Sequence, residues 1–422
     1  MIKANDPKLK SWVDVPANSD FPIQNIPFGI FNTKGAIPRV ATAIGDYVLD
    51  LSQLHDKGLF EGIELPKDVF EKATLNEFMA LGKDITRAVR NRISDLLEVG
   101  NGKIQSTYLK DTALIKMEEV EMCMPVQVPN YTDFYSSEDH ARNVGTMFRD
   151  PENALLPNWK HIPVGYHGRA SSIVVSGTEF HRPKGQTKAD DADAPTFNPC
   201  RLLDFELEMA FITCKENGLG NAVSTKEAEE YIFGFVIFND WSARDIQKWE
   251  YVPLGPYLAK SFASHVSPWV VTKDAMEPFT VSGPKQEPEV LDYLKYEGDH
   301  HYDLNLQVSI QPEGAEETVV TKSNFKYMYW NCIQQLTHQT VNGCNLQVGD
   351  MYASGTISGP TAEEYGSMLE LSWRGTKPLK LNNGEERKFI QDNDTVIMRG
   401  HAEKNGVRIG FGEVNAKVLP AK

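Results

Sequence analysis

From about residue 120 onward, glycines and prolines cut the chain into short apolar runs such as "SSIVVSG", "LDFELEMAFIT", "IFGFVIFND", "LNLQVSIQ" and "DTVIMRG". Runs this short, bounded by turn formers, read as strands and leave little room for helices. The chain is therefore expected to be mainly β with some α. Its 422 residues exceed one typical domain, so a smaller unit beside a larger one is expected. The smaller unit comes first. "RVATAIGDYVLDL" reads as a hairpin turning at Gly45-Asp46. In "TLNEFMALGKDITRAVRNRISDLLEVG", Ile85, Val89, Ile93 and Leu97 recur every fourth residue, with Thr74 and Glu77 as a capping box and Gly100 as the stop, which predicts one long helix. "MPVQVPNYTDF" is a proline-marked entry into the second unit, which places the division at 1–122 and 123–422.

Composition narrows the function. Apolar content of 41% with 24% charged residues describes an ordinary globular protein, and a net charge of −15 argues against nucleic acid or an anionic membrane as partner. An anionic substrate needs local cations. The five cysteines form no CxxC pair, which fits a reduced compartment. The opening "MIKANDPKLKSW" lacks the apolar core of a signal peptide, and "YIFGFVIF" is far short of a membrane span, so a cytoplasmic location is expected. The stretch from Lys184 to Pro199, with "ADDADAP", reads as a solvated loop.

Three stretches carry candidate chemistry. In "YTDFYSSEDHARNVG", Ser136 and Asp139 fit a capping box, so a helix is expected to begin at Ser136, with Asp133 and Tyr135 ending an extended segment. His140 then lies in the first turns, where the positive helix end favours a neutral ring, as a base requires. In "RLLDFELEMAFIT", Asp204, Glu206 and Glu208 alternate with Leu203, Phe205, Leu207 and Met209, so a strand puts the three acids on one face. That pattern suits either a solvated strand face or a cation held between like charges. In "YIFGFVIFNDWSARDIQKWEYVPLGPYLAKSF", a buried strand ends at Asn239-Asp240, and Ser242 with Asp245 reads as another capping box. Asp133, Glu206, Glu208 and Asp240 are hard oxygen ligands suited to Mg²⁺ or Ca²⁺. Spacing alone leaves open whether they meet.

"DFPIQNIPFGIF", "YTDFYSSEDHARNVGTMFR", "NALLPNWKHIPVGYHGRASSIVVSGT", "CRLLDFELEMAF", "NDWSARDIQKWEYVPLGPYLAKSF" and "ASGTISG" closely resemble the fumarylacetoacetate hydrolase family, over most of the chain. The resemblance implies a small N-terminal SH3-like domain, a C-terminal β-roll domain holding the site, and a homodimer. It implies hydrolysis of the carbon–carbon bond of 4-fumarylacetoacetate to fumarate and acetoacetate, in tyrosine and phenylalanine catabolism. It makes Asp133, Glu206, Glu208 and Asp240 ligands of Ca²⁺ or Mg²⁺, His140 the base and Glu370 in "GSMLELSW" the acid that orients it. Arg244, Gln247 and Lys260 match oxyanion donors, while Tyr135, Arg149, Tyr166, Gln247, Tyr251 and Thr356 match substrate contacts. A second cation site falls on Lys260 and Ser264, where this chain has Ala263-Ser264 in place of the family's Gly-Thr.

On this reading the metal holds the leaving group as an enolate, His140 takes a proton from water, and Arg149 receives a carboxylate of the dianionic substrate. Two alternatives stand beside it. One is another oxo-acid hydrolase or decarboxylase, such as an acylpyruvate hydrolase, on the same scaffold. The other is a noncatalytic binding module, which needs neither a base at 140 nor an acid at 370.

Overall fold

In the computed structural model, which describes residues 2–422, one thirteen-stranded sheet joins the N-terminal strands to strands from the middle and later chain. Ten of its strands form the main path, in the order Leu114–Lys116, Tyr47–Asp50, Arg39–Ile44, Phe28–Asn32, Trp269–Thr272, Ile232–Asp240, Leu207–Thr213, Met351–Ala353, Tyr131–Phe134 and Gly165–His167, and the other three, Glu121–Cys123, Ile173–Val175 and Ser264–Val266, pair beside it. The hairpin expected at Gly45-Asp46 forms, joining Arg39–Ile44 to Tyr47–Asp50. Phe28–Asn32 pairs with Trp269–Thr272, so the N-terminal strands extend the same ladder as the later ones. Glu121–Cys123 spans the expected division at 122/123 and pairs with Phe28–Asn32, which places it with the N-terminal strands.

The central strands are buried on both faces, as continuous apolar runs require. Alternation sends their side chains into two cores. Leu207, Met209, Phe211, Phe235 and Ile237 enter one, beneath a five-stranded sheet whose longest members are Thr395–Lys404 and Val407–Leu419. Ala210, Ile212, Val236 and Phe238 enter the other, covered by the N-terminal helices through Phe78, Val89, Ile93 and Leu97. Gly234 marks a close approach: a Cβ there meets the Val271 carbonyl oxygen at 2.4 Å.

Several local expectations differ from the structure. The long N-terminal helix is broken into Asn76–Ala80 and Lys83–Leu97 at Gly82, whose φ of 87° no helix accommodates, and Thr74 caps neither piece. The Lys184–Pro199 stretch is a hairpin, Lys184–Thr187 against Thr196–Pro199, with only its tip a loop. It forms because Gly185 lets the backbone lie against Ile246, a contact of 2.7 Å for any Cβ. No helix among the described residues is long and apolar enough to cross a membrane.

Candidate active site

Strand ends gather the acids. Asp133 lies in Tyr131–Phe134, in register with Ala353 on one side and Tyr166 on the other. Glu208 sits near the start of Leu207–Thr213 opposite Phe238, and Asp240 closes Ile232–Asp240 opposite Ser264. Asp133, Glu208 and Asp240 each offer an oxygen within 4.8 Å of the others, and all three are buried. Gly355 makes room beside them. Its φ is +78°, a Cβ there meets the Phe134 carbonyl at 2.3 Å, and its N–H donates to Glu208 Oε2 (2.9 Å).

Alternation from Leu203 to Met209 survives a break in the strand, since Leu203, Phe205, Leu207 and Met209 all enter one core. Asp204, Glu206 and Glu208 therefore share the opposite side, but buried instead of solvated. Each acid has a different partner. Asp204 accepts from Arg244 Nε (2.8 Å) and from the backbone N–H groups of Met368 (2.6 Å) and Leu369 (3.0 Å). Glu206 accepts from Arg244 Nη2 (2.7 Å) and from Lys260 Nζ. Glu208 faces Asp133 and Asp240. Glu206 lies outside the three-acid group, with Arg244 and Lys260 on its oxygens.

Lys260, in the short turn Leu258–Lys260, donates to Glu206, Asp240 and Ser242 Oγ. Ser264 Oγ donates to Asp240 Oδ1 (3.0 Å), and Tyr166 OH to Asp240 Oδ2 (3.3 Å). Acid remains in excess. Burial, and next the Asp240 charge, pushes the Asp133 carboxyl well up; burial, then Asp133 and Asp240, does the same to Glu208. Burial also works against ionisation of Glu206, but Arg244 and Lys260 overcome it and hold that carboxyl well below its usual range.

Asp133 Oδ1 and Glu208 Oε1 are buried with no hydrogen-bond partner. Two orphaned carboxylate oxygens in a group of three acids with oxygens within 4.8 Å of one another fit a hard divalent cation, which takes oxygen ligands and supplies the missing charge. The residues present therefore fit such an ion.

His140 stands in the helix Glu138–Phe148. The cap is Ser137, one residue later than expected, and its hydroxyl accepts the His140 N–H (3.2 Å). Ser136 does not cap because its hydroxyl accepts from Gln335 Nε2 (2.8 Å). His140 Nδ1 lies 2.8 Å from Glu370 Oε2. Although burial opposes it, the facing His140 and surrounding donors hold the Glu370 carboxyl below its usual range, so the carboxylate accepts the Nδ1 proton. Three further side chains clamp Glu370: Asn143 Nδ2 at 2.9 Å, Ser358 Oγ at 2.9 and 3.0 Å, and Ser367 Oγ at 2.8 Å. Sequence reading missed all three. Asn143 alone carried a local signal, since it lies three residues after His140 on the same helix face.

The remaining expected residues have varied surroundings. The helix Arg244–Glu250 begins after Ala243 with no side-chain cap, because Asp245 instead accepts from Cys200 Sγ (2.9 Å) and Arg201 N–H (2.8 Å). Gln247 Oε1 accepts from Arg244 Nη1 (3.3 Å), which leaves its amide N–H groups to donate. The Tyr135 ring packs edge-on to His140, with centroids 5.3 Å apart, and Thr356 is buried just after Gly355. Arg149 and Tyr251 are exposed; Arg149 Nη2 donates to the Ala154 carbonyl (2.7 Å).

Comparison with known proteins places this geometry. Residues 130–419 match the family described as fumarylacetoacetate hydrolase C-terminal, and residues 24–125 match fumarylacetoacetase N-terminal. A fumarylacetoacetase of Homo sapiens is 54% identical over 416 residues, 97% of this chain and 99% of that protein. One of Caenorhabditis elegans is 55% identical over 419 residues, 98% of this chain and all of that protein. Among solved structures, a fumarylacetoacetate hydrolase from psychrophilic Exiguobacterium antarcticum shares the fold, with a TM-score of 0.53 at 18% identity, over 94% of this chain and all of the other. The two family matches together span nearly the whole chain at high identity to these relatives, and the chain belongs to the fumarylacetoacetate hydrolase family.

Proposed function

We propose that this chain hydrolyses 4-fumarylacetoacetate to fumarate and acetoacetate, the last step of tyrosine and phenylalanine breakdown. The observation that carries the reading is a buried, hydrogen-bonded His140–Glu370 pair in one chain with the buried acids of a cation centre, a chain about half identical to named fumarylacetoacetases. Asp133, Glu208 and Asp240, with Glu206 beside them, would hold one Ca²⁺ or Mg²⁺, whose Lewis acidity lowers the cost of the enolate charge on the departing acetoacetate.

The chain's own groups do the rest. His140 Nε2 takes a proton from water as the water oxygen bonds to the fumaroyl carbonyl carbon. Glu370 holds the ring in the required tautomer and stabilises the imidazolium that forms. The amide N–H of Gln247 and the cations of Arg244 and Lys260 donate toward the tetrahedral oxyanion, where one donor is worth roughly 3–4 kcal/mol. The carbon–carbon bond then breaks with its electron pair leaving on acetoacetate, and the imidazolium returns the proton to that carbon. Arg149 binds a substrate carboxylate as a bidentate donor, Tyr135, Tyr166, Tyr251 and Thr356 line the substrate, and Lys260 with Ser264 forms the second cation site.

The same reading divides the labour near residue 122, with packing before it and chemistry after; the separate family matches, 24–125 and 130–419, support that division. It includes a homodimer in the cytoplasm, with neither nucleic acid nor membrane as partner. Turnover of 4-fumarylacetoacetate, compared with acylpyruvates and before and after chelation, tests the function. Preference for an acylpyruvate would overturn it. Light scattering on the purified chain tests the dimer.

A further inference from the structure

We propose that Asp204 is a positioning residue, joining the oxyanion donor Arg244 to the turn that carries Glu370 so that base and donor keep a fixed separation. The inference rests on the function proposed above. Asp204 is fully buried, and three donors converge on it. Oδ2 accepts from Arg244 Nε at 2.8 Å and from Leu369 N–H at 3.0 Å, while Oδ1 accepts from Met368 N–H at 2.6 Å. Those two N–H groups open the single turn Met368–Leu371, and Glu370, the next residue, reaches His140.

A one-turn helix has almost no stability of its own, so what binds its exposed N–H groups decides where it sits. Here that anchor is a carboxylate, attracted both to the positive end of the turn and to the guanidinium. The path from Arg244 to His140 is thus unbroken: guanidinium, Asp204, the Met368 and Leu369 amides, Glu370, imidazole. Asp204 makes no hydrogen bond to His140; its partners are Arg244 and the two backbone N–H groups. Its two neighbours in the alternation face the cations and the acid group, so one alternating stretch holds three acids with three separate tasks.

Asp204→Asn keeps the shape but replaces one acceptor oxygen by an amide N–H, so the turn loses the partner of one N–H in either orientation and Arg244 loses its partner in one of them. The expected result is a kcat lower by about 10–100-fold, the range seen when supporting partners of functional groups are removed, with KM little changed. A purely structural role gives a lower melting temperature with wild-type kcat per folded molecule, and that outcome overturns the inference. Coupling sharpens the test: Asp204→Asn with Glu370→Gln should be little worse than the more damaging single change, whereas losses that multiply show independent roles. If Asp204→Asn does not fold, Asp204→Glu keeps the charge and displaces it by one methylene. A folded Asp204→Glu with lowered kcat supports the inference and one with wild-type kcat overturns it. Failure of the proposed function is distinguishable, because the wild-type chain itself then leaves 4-fumarylacetoacetate uncleaved.

Discussion

The strand Ile232–Asp240 serves two regions that differ in what burial has done. Along its length Val236 and Phe238 pack into the N-terminal core with Phe28, Phe78, Val89 and Ile93, all of them fully enclosed by apolar neighbours. Two residues further, on the same side, Asp240 enters a pocket of acids where Asp133 Oδ1 and Glu208 Oε1 lack any partner. The first region has what it needs within the chain. The second carries charge that repels itself and is relieved only in part by Lys260 and Arg244. Apolar surface lowers free energy wherever it is covered, whereas buried like charges are tolerated only where the rest of the fold holds them. Stability and chemistry should therefore separate cleanly along this strand.

The largest test of that separation is His140→Ala. General-base catalysis contributes roughly 10²–10⁴-fold, so kcat should fall by about that factor while the melting temperature and divalent-ion binding stay near wild type. Near-normal turnover across neutral pH would assign the base to another group. The converse change is Phe78→Ala, which empties a site where the ring meets Phe28 and Phe70 at centroid distances of 4.9 and 5.5 Å. It should cost roughly 3–5 kcal/mol of stability in denaturant titration and leave kcat per folded molecule unchanged. A large kcat loss in that variant breaks the comparison.

Titration gives a third test, away from the acids. Burial pushes the His301 imidazole down to about 4, and Nε2 donates to the Met328 carbonyl (3.0 Å). The folded pKa lies below the ordinary 6.5, so the unfolded chain binds the proton first and stability is lost as pH falls from 6.5 toward 4. The loss reaches about 3 kcal/mol for this group, from a shift worth 1.36 kcal/mol per unit. His301→Gln should flatten the melting-temperature profile over that window. A residual slope is expected, because burial also pushes His265 down to about 4. An unchanged slope would show that His301 is already protonated in the fold.

Divalent ions come next. If the three-acid group binds Ca²⁺ or Mg²⁺, stability should rise by about 2.7 kcal/mol at a hundredfold excess over Kd, and chelation should reverse it. Glu208→Gln removes one charge from the repelling set, so the ion-free protein should melt no lower than wild type while the gain from the ion shrinks. Equal gains in both proteins would place the ion elsewhere.

These expectations rest on what the sequence made visible and on what it hid. Alternation from Leu203 to Met209 and the apolar run ending at Asp240 were legible because strand period and burial are local properties of side chains. The capping boxes failed where a distant group competed for the same atoms: Gln335 binds the Ser136 hydroxyl, and Cys200 and Arg201 occupy Asp245. The break at Gly82 was hidden because apolar spacing continues through it. Most of the site's wiring joins residues far apart in the chain. His140 and Glu370 are 230 positions apart, and the backbone donors to Asp204 lie 164 and 165 positions away. Local pattern carries no signal for such contacts, so His140 and Glu370 were paired only through the family resemblance, and Asn143, Ser358, Ser367 and the role of Asp204 emerged from the structure.

The smallest predicted effect falls on a residue that belongs to both regions. Ser137 caps the helix bearing His140 by accepting its N–H, and the same hydroxyl donates to the Ser358 carbonyl (3.2 Å), one residue from which Glu370 is clamped. Ser137→Ala removes the cap, which is worth about 1 kcal/mol of stability. The imidazole itself is aimed by Glu370 through Nδ1, and Glu370 keeps Asn143, Ser358 and Ser367 in the variant. Turnover should therefore drop no more than a few-fold, measured beside a melting curve on the same preparation. A kcat loss as deep as that of His140→Ala would mean that the cap, not Glu370, sets the ring, and the division between scaffold and chemistry would have to be drawn one helical turn closer to the base.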